Sequence, residues 1–220
     1  MTRSTYDAIW ERFAYGDHIS KMPQRDDIGV GLIVHIQEQA IVDRISAIQR
    51  QIEHVSTFIP TPLDALHLTV RNLGALIDQP KGKQTVSPGQ LPDVIGAIGR
   101  GLSGTHGFGI HLRRVNSFLV CPIVEVHDNG HILAIRQDLE TELGSLGLTD
   151  YDYGSHGFVP HLTLGYYSED GDGAMARQVL SGLREVDIGQ IQVTKLVLIR
   201  ADLRTGVCCL EPIHEYKLRE

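Results

Sequence analysis

Cysteine is scarce in this chain and badly placed for any framework. There are three: Cys121 stands alone, and Cys208 and Cys209 are adjacent. They offer neither a disulfide scaffold nor the spacing of zinc ligands. On a strand, the adjacent pair would point to opposite faces. Such usage predicts a reduced, cytoplasmic protein. An excess of basic residues is also missing. The formal net charge is −7, which argues against a broad cationic face for a long nucleic-acid tract. It leaves room for a small anion held in a local pocket. No apolar run approaches the length of a membrane span, and the opening stretch MTRSTYDAIWERF lacks the apolar region of a signal peptide. No membrane association is expected. Low-complexity linkers are absent, so the chain is expected to fold as closely packed parts.

What is present is a core and a repeated plan. Hydrophobic residues make up 42% of 220, enough to bury one large domain or two small lobes. Residues 4–14 predict a short helix: Ser4 and Asp7 have capping-box spacing, and Ile9, Trp10 and Phe13 form an apolar side. Residues 1–27 are expected to be an N-terminal helical extension, and 28–220 a single bilobal domain. IGVGLIVHI at 28–36 predicts a buried strand. Ile41, Ile45, Ile48, Ile52 and Val55 then recur at helical spacing, Pro60 and Pro62 stop the helix, and ALHLTV is the next strand. The same order returns from 119. LVCPIVEV predicts a strand, with Pro122 at an edge or bulge. Ile132, Ile135, Leu139, Leu143 and Leu146 predict a helix. A polar loop at 149–157 leads to FVPHLTLGYY. Aligning Ile33 with Ile123 leaves the second unit a path four residues longer to its motif. The pattern is an internal duplication of architecture. Residues 91–102 predict a helix weakened by glycines, 108–118 a strand, and the stretches DIGQIQVTKLVLIRAD and GVCCLEPIHEYKL a closing hairpin around LRTG.

The chemistry lies in what the duplication repeats. HLTV at 67–70 and HLTL at 161–164 stand 94 positions apart. On a strand, His67 and Thr69 share one face, as do His161 and Thr163, while the leucines between them anchor the other. Lobes facing each other across a pseudo-two-fold axis bring two imidazoles and two hydroxyls into one cavity. That set suits a phosphodiester. One histidine takes a proton from the attacking oxygen and the other gives one to the leaving oxygen. Threonine hydroxyls can donate to the non-bridging oxygens, and an imidazolium with a nearby arginine can offset the phosphate charge without a metal. A single His-x-Thr is a weak signal among eleven histidines. HIS at 18–20 and HVS at 54–56 are read as accidents, and His35, His111, His127 and His214 as residues without a role. The weight lies in the two copies standing at the same station of a repeated unit. Zinc ligation by the two histidines is disfavoured, because no third or fourth ligand stands at the usual spacing.

These paired motifs resemble the two-histidine (2H) phosphoesterase superfamily. HLTVRNLG is similar to the first motif of its RNA 2′,3′-cyclic phosphodiesterase or 2′-5′ RNA ligase branch, and FVPHLTLGYY to the second. The resemblance spans about 28–217. It implies an α+β, bilobal fold with two antiparallel sheets lining a central cleft, helices outside, and an internal pseudo-two-fold duplication. It implies His67, Thr69, His161 and Thr163 as the catalytic residues, with no metal and no cofactor. Arg71 matches the motif's arginine and, on an ideal strand, faces with His67 and Thr69; a surface ion pair elsewhere is the alternative. Phe158 and Tyr166, beside the second motif, complete the substrate-binding candidates. Asn72 replaces a usual phenylalanine, and Gly165-Tyr166 stands where Ala-Arg is common. The implied partner is a small nucleotide or an RNA 2′,3′-cyclic phosphate end, hydrolysed or, in reverse, ligated. The near symmetry leaves both assignments of acid and base open, with His161 favoured as base and His67 as acid. The rival expectation is a nucleotide- or RNA-end-binding module without turnover; another is a hydrolase of a different cyclic phosphate. The N-terminal segment is expected to pack on the first lobe and add only stability, against the alternative of a lid bordering the cleft.

Overall fold

The computed structural model describes residues 5–16, 18–23, 27–55, 57–79, 84–149, 157–202 and 209–220. In chain order these form α1 (Thr5–Ala14), β1 (Ile28–His35), α2 (Gln39–Ile52), β2 (Phe58–Pro60), β3 (His67–Leu76), β4 (Thr85–Val86), α3 (Leu91–Gly101), β5 (Phe108–Ser117), β6 (Pro122–His127), α4 (His131–Gly144), β7 (His161–Thr163), β8 (Gly165–Tyr167), α5 (Ala174–Ser181), β9 (Asp187–Val193), β10 (Lys195–Asp202) and β11 (Cys209–Lys217). Ser4, LRTG and most of the 149–157 loop lie outside the described residues.

The strand order β11-β10-β1-β3-β7-β6-β5-β9 is a palindrome of roles. Folded at the β3–β7 junction, β1 matches β6, β10 matches β5 and β11 matches β9. The two expected sheets therefore meet in one α+β sheet, antiparallel except where β4 adds to β3. The register carries the duplication to single residues. Ile33 pairs with Thr69 and His35 with His67; Ile123 pairs with Thr163 and Glu125 with His161. The sequence alignment of Ile33 with Ile123 is thus the structural one.

The helices follow from their apolar stripes but cross between halves. Ile41, Ile45, Ile48 and Ile52 of α2 are buried, as are Ile132, Ile135, Leu139 and Leu143 of α4. Although α2 leaves β1, it packs on β9 and α5; α4 leaves β6 and packs on β3 and α3. Each crossover helix then clamps the other unit's motif strand. Gln49 of α2 donates to Leu164 O and Thr61 O, both at 2.8 Å. Arg136 of α4 donates to Val70 O at 2.5 Å. Leu164 and Val70 are the residues that follow the two His-Leu-Thr triplets. The turn into α4 uses Asn129 and Gly130, both with positive φ, and the Asp128 carboxylate accepts from Ile132 N at 2.6 Å.

Three expectations are corrected. The run 187–202 is not one strand. It breaks at Thr194, where the chain leaves β9 beside β5 and enters β10 beside β1. No glycine or proline marks this crossing, so composition could not reveal it. The second motif is also split: β7 stops at Thr163, and β8 pairs with β2 in a separate ladder. Finally, α1 does not pack on the first half. It lies on β5, and Tyr6 reaches Val126 and Pro160 of the second. Pro122 takes the first position of β6, opposite Ser117, where its missing N–H costs no ladder bond.

Gln49→Leu keeps much of the volume but removes the side-chain donor from Thr61 O and leaves Leu164 O with the backbone N–H of Thr61 alone. It is expected to cost about 1–3 kcal/mol. Leu68→Ala, at a fully buried position, is expected to cost about 2–5 kcal/mol. Urea unfolding of the two variants checks both; an unchanged midpoint for Gln49→Leu contradicts the clamp.

Candidate active site

The strands β3 and β7 pair antiparallel with Leu68 opposite Leu162. That single register sets every other neighbour. His67 stands across from Thr163, and Thr69 across from His161. Both leucines are fully buried in the main core, while the two histidines and two threonines are half-buried on the opposite, accessible face. The histidines lie diagonally across the pair, which in ordinary sheet geometry separates such residues by roughly 7–8 Å, and their Cβ atoms by somewhat less. His67 and His161 are close enough that His67 disfavours charge on its neighbour.

The imidazoles are held in the same way. His67 Nδ1 is 2.8 Å from Ala65 O, and His161 Nδ1 is 2.8 Å from Val159 O. A carbonyl only accepts, so each Nδ1 carries the proton. Each Nε2 is then the open, basic nitrogen of a neutral ring. Burial lowers the pKa of both rings below the ordinary histidine value, and the carbonyl hydrogen bonds oppose that shift in part. His35 adds to the lowering at His67, and His67 does so at His161. Among the described residues neither Thr69 nor Thr163 has a side-chain hydrogen-bond partner, which leaves both hydroxyls available to a ligand.

The flanks are not symmetric. His35, beside His67, places Nε2 2.9 Å from Asp64 O. Its counterpart Glu125, beside His161, is fully buried. One Glu125 oxygen accepts from Arg184 at 2.7 Å and Asn116 at 2.9 Å, and Arg114 lies 3.7 Å from the other. Asn116 also donates to Tyr6 O at 2.9 Å, and the Arg184 guanidinium lies 4.6 Å from the Trp10 ring. Phe118 meets the His161 ring edge-on, with centroids 5.1 Å apart. Sequence reasoning passed over Glu125 and Phe118. The aligned pair His35 and Glu125 was available in the duplicated strands; Phe118 left no signal, because only the fold brings its loop to His161.

The three binding candidates have different settings. A register shift between Leu32 and Ile33 inserts Val70 as a bulge, so that Thr69 pairs with Ile33 but Arg71 with Leu32. The bulge reverses the alternation. Arg71 turns from the His67 face to the helix side, is 1% exposed and pairs with Glu140 of α4 at 2.8 Å. Phe158 lies under Arg136, whose guanidinium carbon is 3.7 Å from the ring centroid, so its face is already covered. Tyr166 sits on β8 across from Ile59, in the small ladder. Gly165, the counterpart of Arg71, has no room for a side chain: an added Cβ would lie 2.3 Å from Ile59 O. Among the described residues no three His, Cys, Asp or Glu side chains gather as a metal site, and no helix is long and apolar enough to cross a membrane.

Solved structures share this architecture. One from Thermus thermophilus, TT0787, superposes with a TM-score of 0.66 at 18% identity, covering 87% of this chain and 98% of that one. Escherichia coli LigT complexed with 3′-AMP gives 0.60 at 18% identity, covering 89% of this chain and all of that one. LigT has also been crystallised with ATP and with NADP+, the ATP complex giving a TM-score of 0.56 at 18% identity. At these identities the likeness shows the fold. Among curated proteins none matches the sequence. The family model of the 2′-5′ RNA ligase superfamily does match, over residues 37–205. That span holds both His-x-Thr strands, and the chain belongs to the 2′-5′ RNA ligase superfamily, whose membership supports a phosphoesterase or ligase type of activity on phosphodiesters.

Proposed function

We propose that the protein hydrolyses a 2′,3′-cyclic phosphate, at an RNA end or on a small nucleotide, by two-histidine acid–base catalysis without a metal. The observation that supports the reading is the shared face of β3 and β7, which carries both imidazoles and both threonines, each imidazole held at Nδ1 by a carbonyl. Water attacks phosphorus, and one Nε2 takes its proton. The P–O3′ bond breaks as the other histidine, entered as imidazolium, delivers its Nε2 proton to O3′. The product is a 2′-phosphomonoester, and the two rings finish with their protonation states exchanged. Thr69 and Thr163 donate to the non-bridging oxygens. Replacing water by a 5′-hydroxyl makes the same step a 2′-5′ ligation. His161 is favoured as base and His67 as acid. Arg71 has no part in this scheme.

Hydrolysis of 2′,3′-cyclic mononucleotides and cyclic-phosphate oligonucleotides is expected to persist in EDTA. His67→Ala and His161→Ala should each lower kcat about 10²–10⁴-fold. The double variant should lose far less than the product of the two, since the groups act as a unit. Full activity in either single variant refutes the assignment, as does abolition by chelator. Tight binding of a mononucleotide with no turnover on any cyclic phosphate points instead to a binding module.

The lowered histidine pKa values give a pH signature. Catalysis needs one ring protonated and one neutral. With both values below the ordinary 6.5, the singly protonated pair is populated on the acid side of that point. As pH rises through neutrality the free protein loses the required proton. kcat/KM should therefore be bell-shaped with its maximum below about 6.5, and fall about tenfold per pH unit above its upper limb. A bound phosphate anion favours imidazolium, so the kcat profile should lie at higher pH. A flat kcat/KM from pH 6 to 9 contradicts the scheme.

A further inference from the structure

The N-terminal helix lies outside the span of the family match, yet it is fastened to the strand that carries His161. Tyr6 accepts from Val126 N at 3.0 Å and donates to Pro160 O, the residue before His161. Asp7 lies 3.6 Å from Arg114, and Trp10 covers Arg184. These contacts leave one side of α1 over the β5–β6 turn. Between them is a cavity of about 310 Å³. Ile9, Arg12 and Phe13 line it from the helix, and Phe118, Leu119 and Val120 from the turn. The turn is pinned by backbone hydrogen bonds. Phe118 N donates to Cys121 O at 3.0 Å, Ser20 N to Leu119 O at 2.8 Å, and Tyr167 N to Val120 O at 3.1 Å.

Two features connect this cavity to the chemistry. Phe118 belongs both to its wall and to the edge contact with His161, so the cavity begins where the catalytic face ends. Among the described residues of the lining Arg12 is the one that carries a charge. Among the described residues the Arg12 guanidinium has neither ion pair nor hydrogen bond, unlike Arg71, Arg100, Arg114, Arg177 and Arg184. In a chain of net charge −7, a largely apolar slot rimmed by a guanidinium is complementary to a planar apolar group carrying an anion. Guanidinium is the side chain suited to a phosphate oxygen pair.

We infer that α1 builds an accessory subsite for the reacting nucleotide, with the nucleoside against Phe118 and its 5′-phosphate on Arg12. The inference rests on the proposed cyclic-phosphate substrate. It gives the N-terminal segment a role in selecting substrates that continue on the 5′ side, as an RNA end does and a 5′-hydroxyl mononucleotide does not.

The test uses the full chain and adenosine 2′,3′-cyclic phosphate with and without a 5′-phosphate. The readout is the ratio of the two kcat/KM values, together with calorimetric binding of adenosine 2′,5′-bisphosphate against adenosine 2′-monophosphate. The wild type should prefer the 5′-phosphorylated member of each pair. Arg12→Ala should lower both preferences about tenfold, the scale of one charge-assisted hydrogen bond, and Arg12→Lys should restore part of it. Arg50→Ala, an exposed arginine of α2, serves as the charge control and should leave both ratios as in the wild type. Equal preferences in the wild type and Arg12→Ala overturn the subsite. Arg12-dependent binding of the bisphosphate without turnover of either cyclic phosphate supports the subsite and overturns the proposed reaction instead.

Discussion

The pairing of Leu68 with Leu162 is the constraint on which the site depends. It is one registered pair, between a strand of ten residues and one of three. Because side chains alternate along a strand, a slip of one residue would send His161 and Thr163 into the core and Leu162 to the open face. Burial of both leucines therefore fixes the chemistry as well as the packing. The short β7 is bounded by residues that prevent it from growing. Pro160 before it has no N–H to give, and Gly165 after it belongs to the β2–β8 ladder. Gln49 and Arg136, each from the other unit's helix, then hold the carbonyl that follows each triplet. The two halves are thus tied by crossed supports around a contact that is small in itself.

Duplication brings the four side chains to one face but makes the two imidazoles alike, whereas the proposed catalysis needs them different. Their immediate tethers are the same, each Nδ1 donating to a carbonyl two residues upstream. The difference must come from the flanks. His35 stands beside His67, a second imidazole that disfavours charge there. Glu125 stands beside His161, but its negative charge is engaged by Arg184 and Asn116 under the cover of α1. The helix thereby converts a symmetric frame into one with two distinct sides. One wall keeps an apolar floor of Ile33, Val197 and Ile199; the other is a polar cluster closed by Tyr6 and Trp10.

Much of this was legible in the chain because it is periodic. The isoleucines of α2, the apolar stripe of α4 and the repeated His-Leu-Thr each announce themselves locally, and the Ile33–Ile123 alignment survives as true register. What could not be read depends on events that have no local signature. A bulge at Val70 moves Arg71 to the far face, and nothing in HLTVRNLG distinguishes a bulged strand from a regular one. The crossing at Thr194 happens within an unbroken strand-like run. The covered face of Phe158 depends on Arg136, which belongs to a helix earlier in the chain and meets the ring only once the sheet has formed. The destination of α1 differs from the expected one for the same reason. An amphipathic helix declares which face it buries, not which surface receives it.

Arg71 shows how a residue can keep its place in a motif while its side chain turns to another face. Had β3 stayed regular, a guanidinium would stand beside the phosphate and favour the bound anion in every protonation state. The bulge commits that charge to Glu140 and the α4 interface instead. In the proposed reaction the phosphate meets two imidazoles and two hydroxyls, and above the pKa of the rings it must itself draw a proton onto one of them. Binding and protonation become linked: the anion favours imidazolium, and the imidazolium favours the anion. In that scheme a cation farther out, such as Arg12, would strengthen the hold on substrate without lowering the pKa of the proton donor at the centre. On the proposed reading, the charge that attracts the nucleotide is separate from the proton that cleaves it.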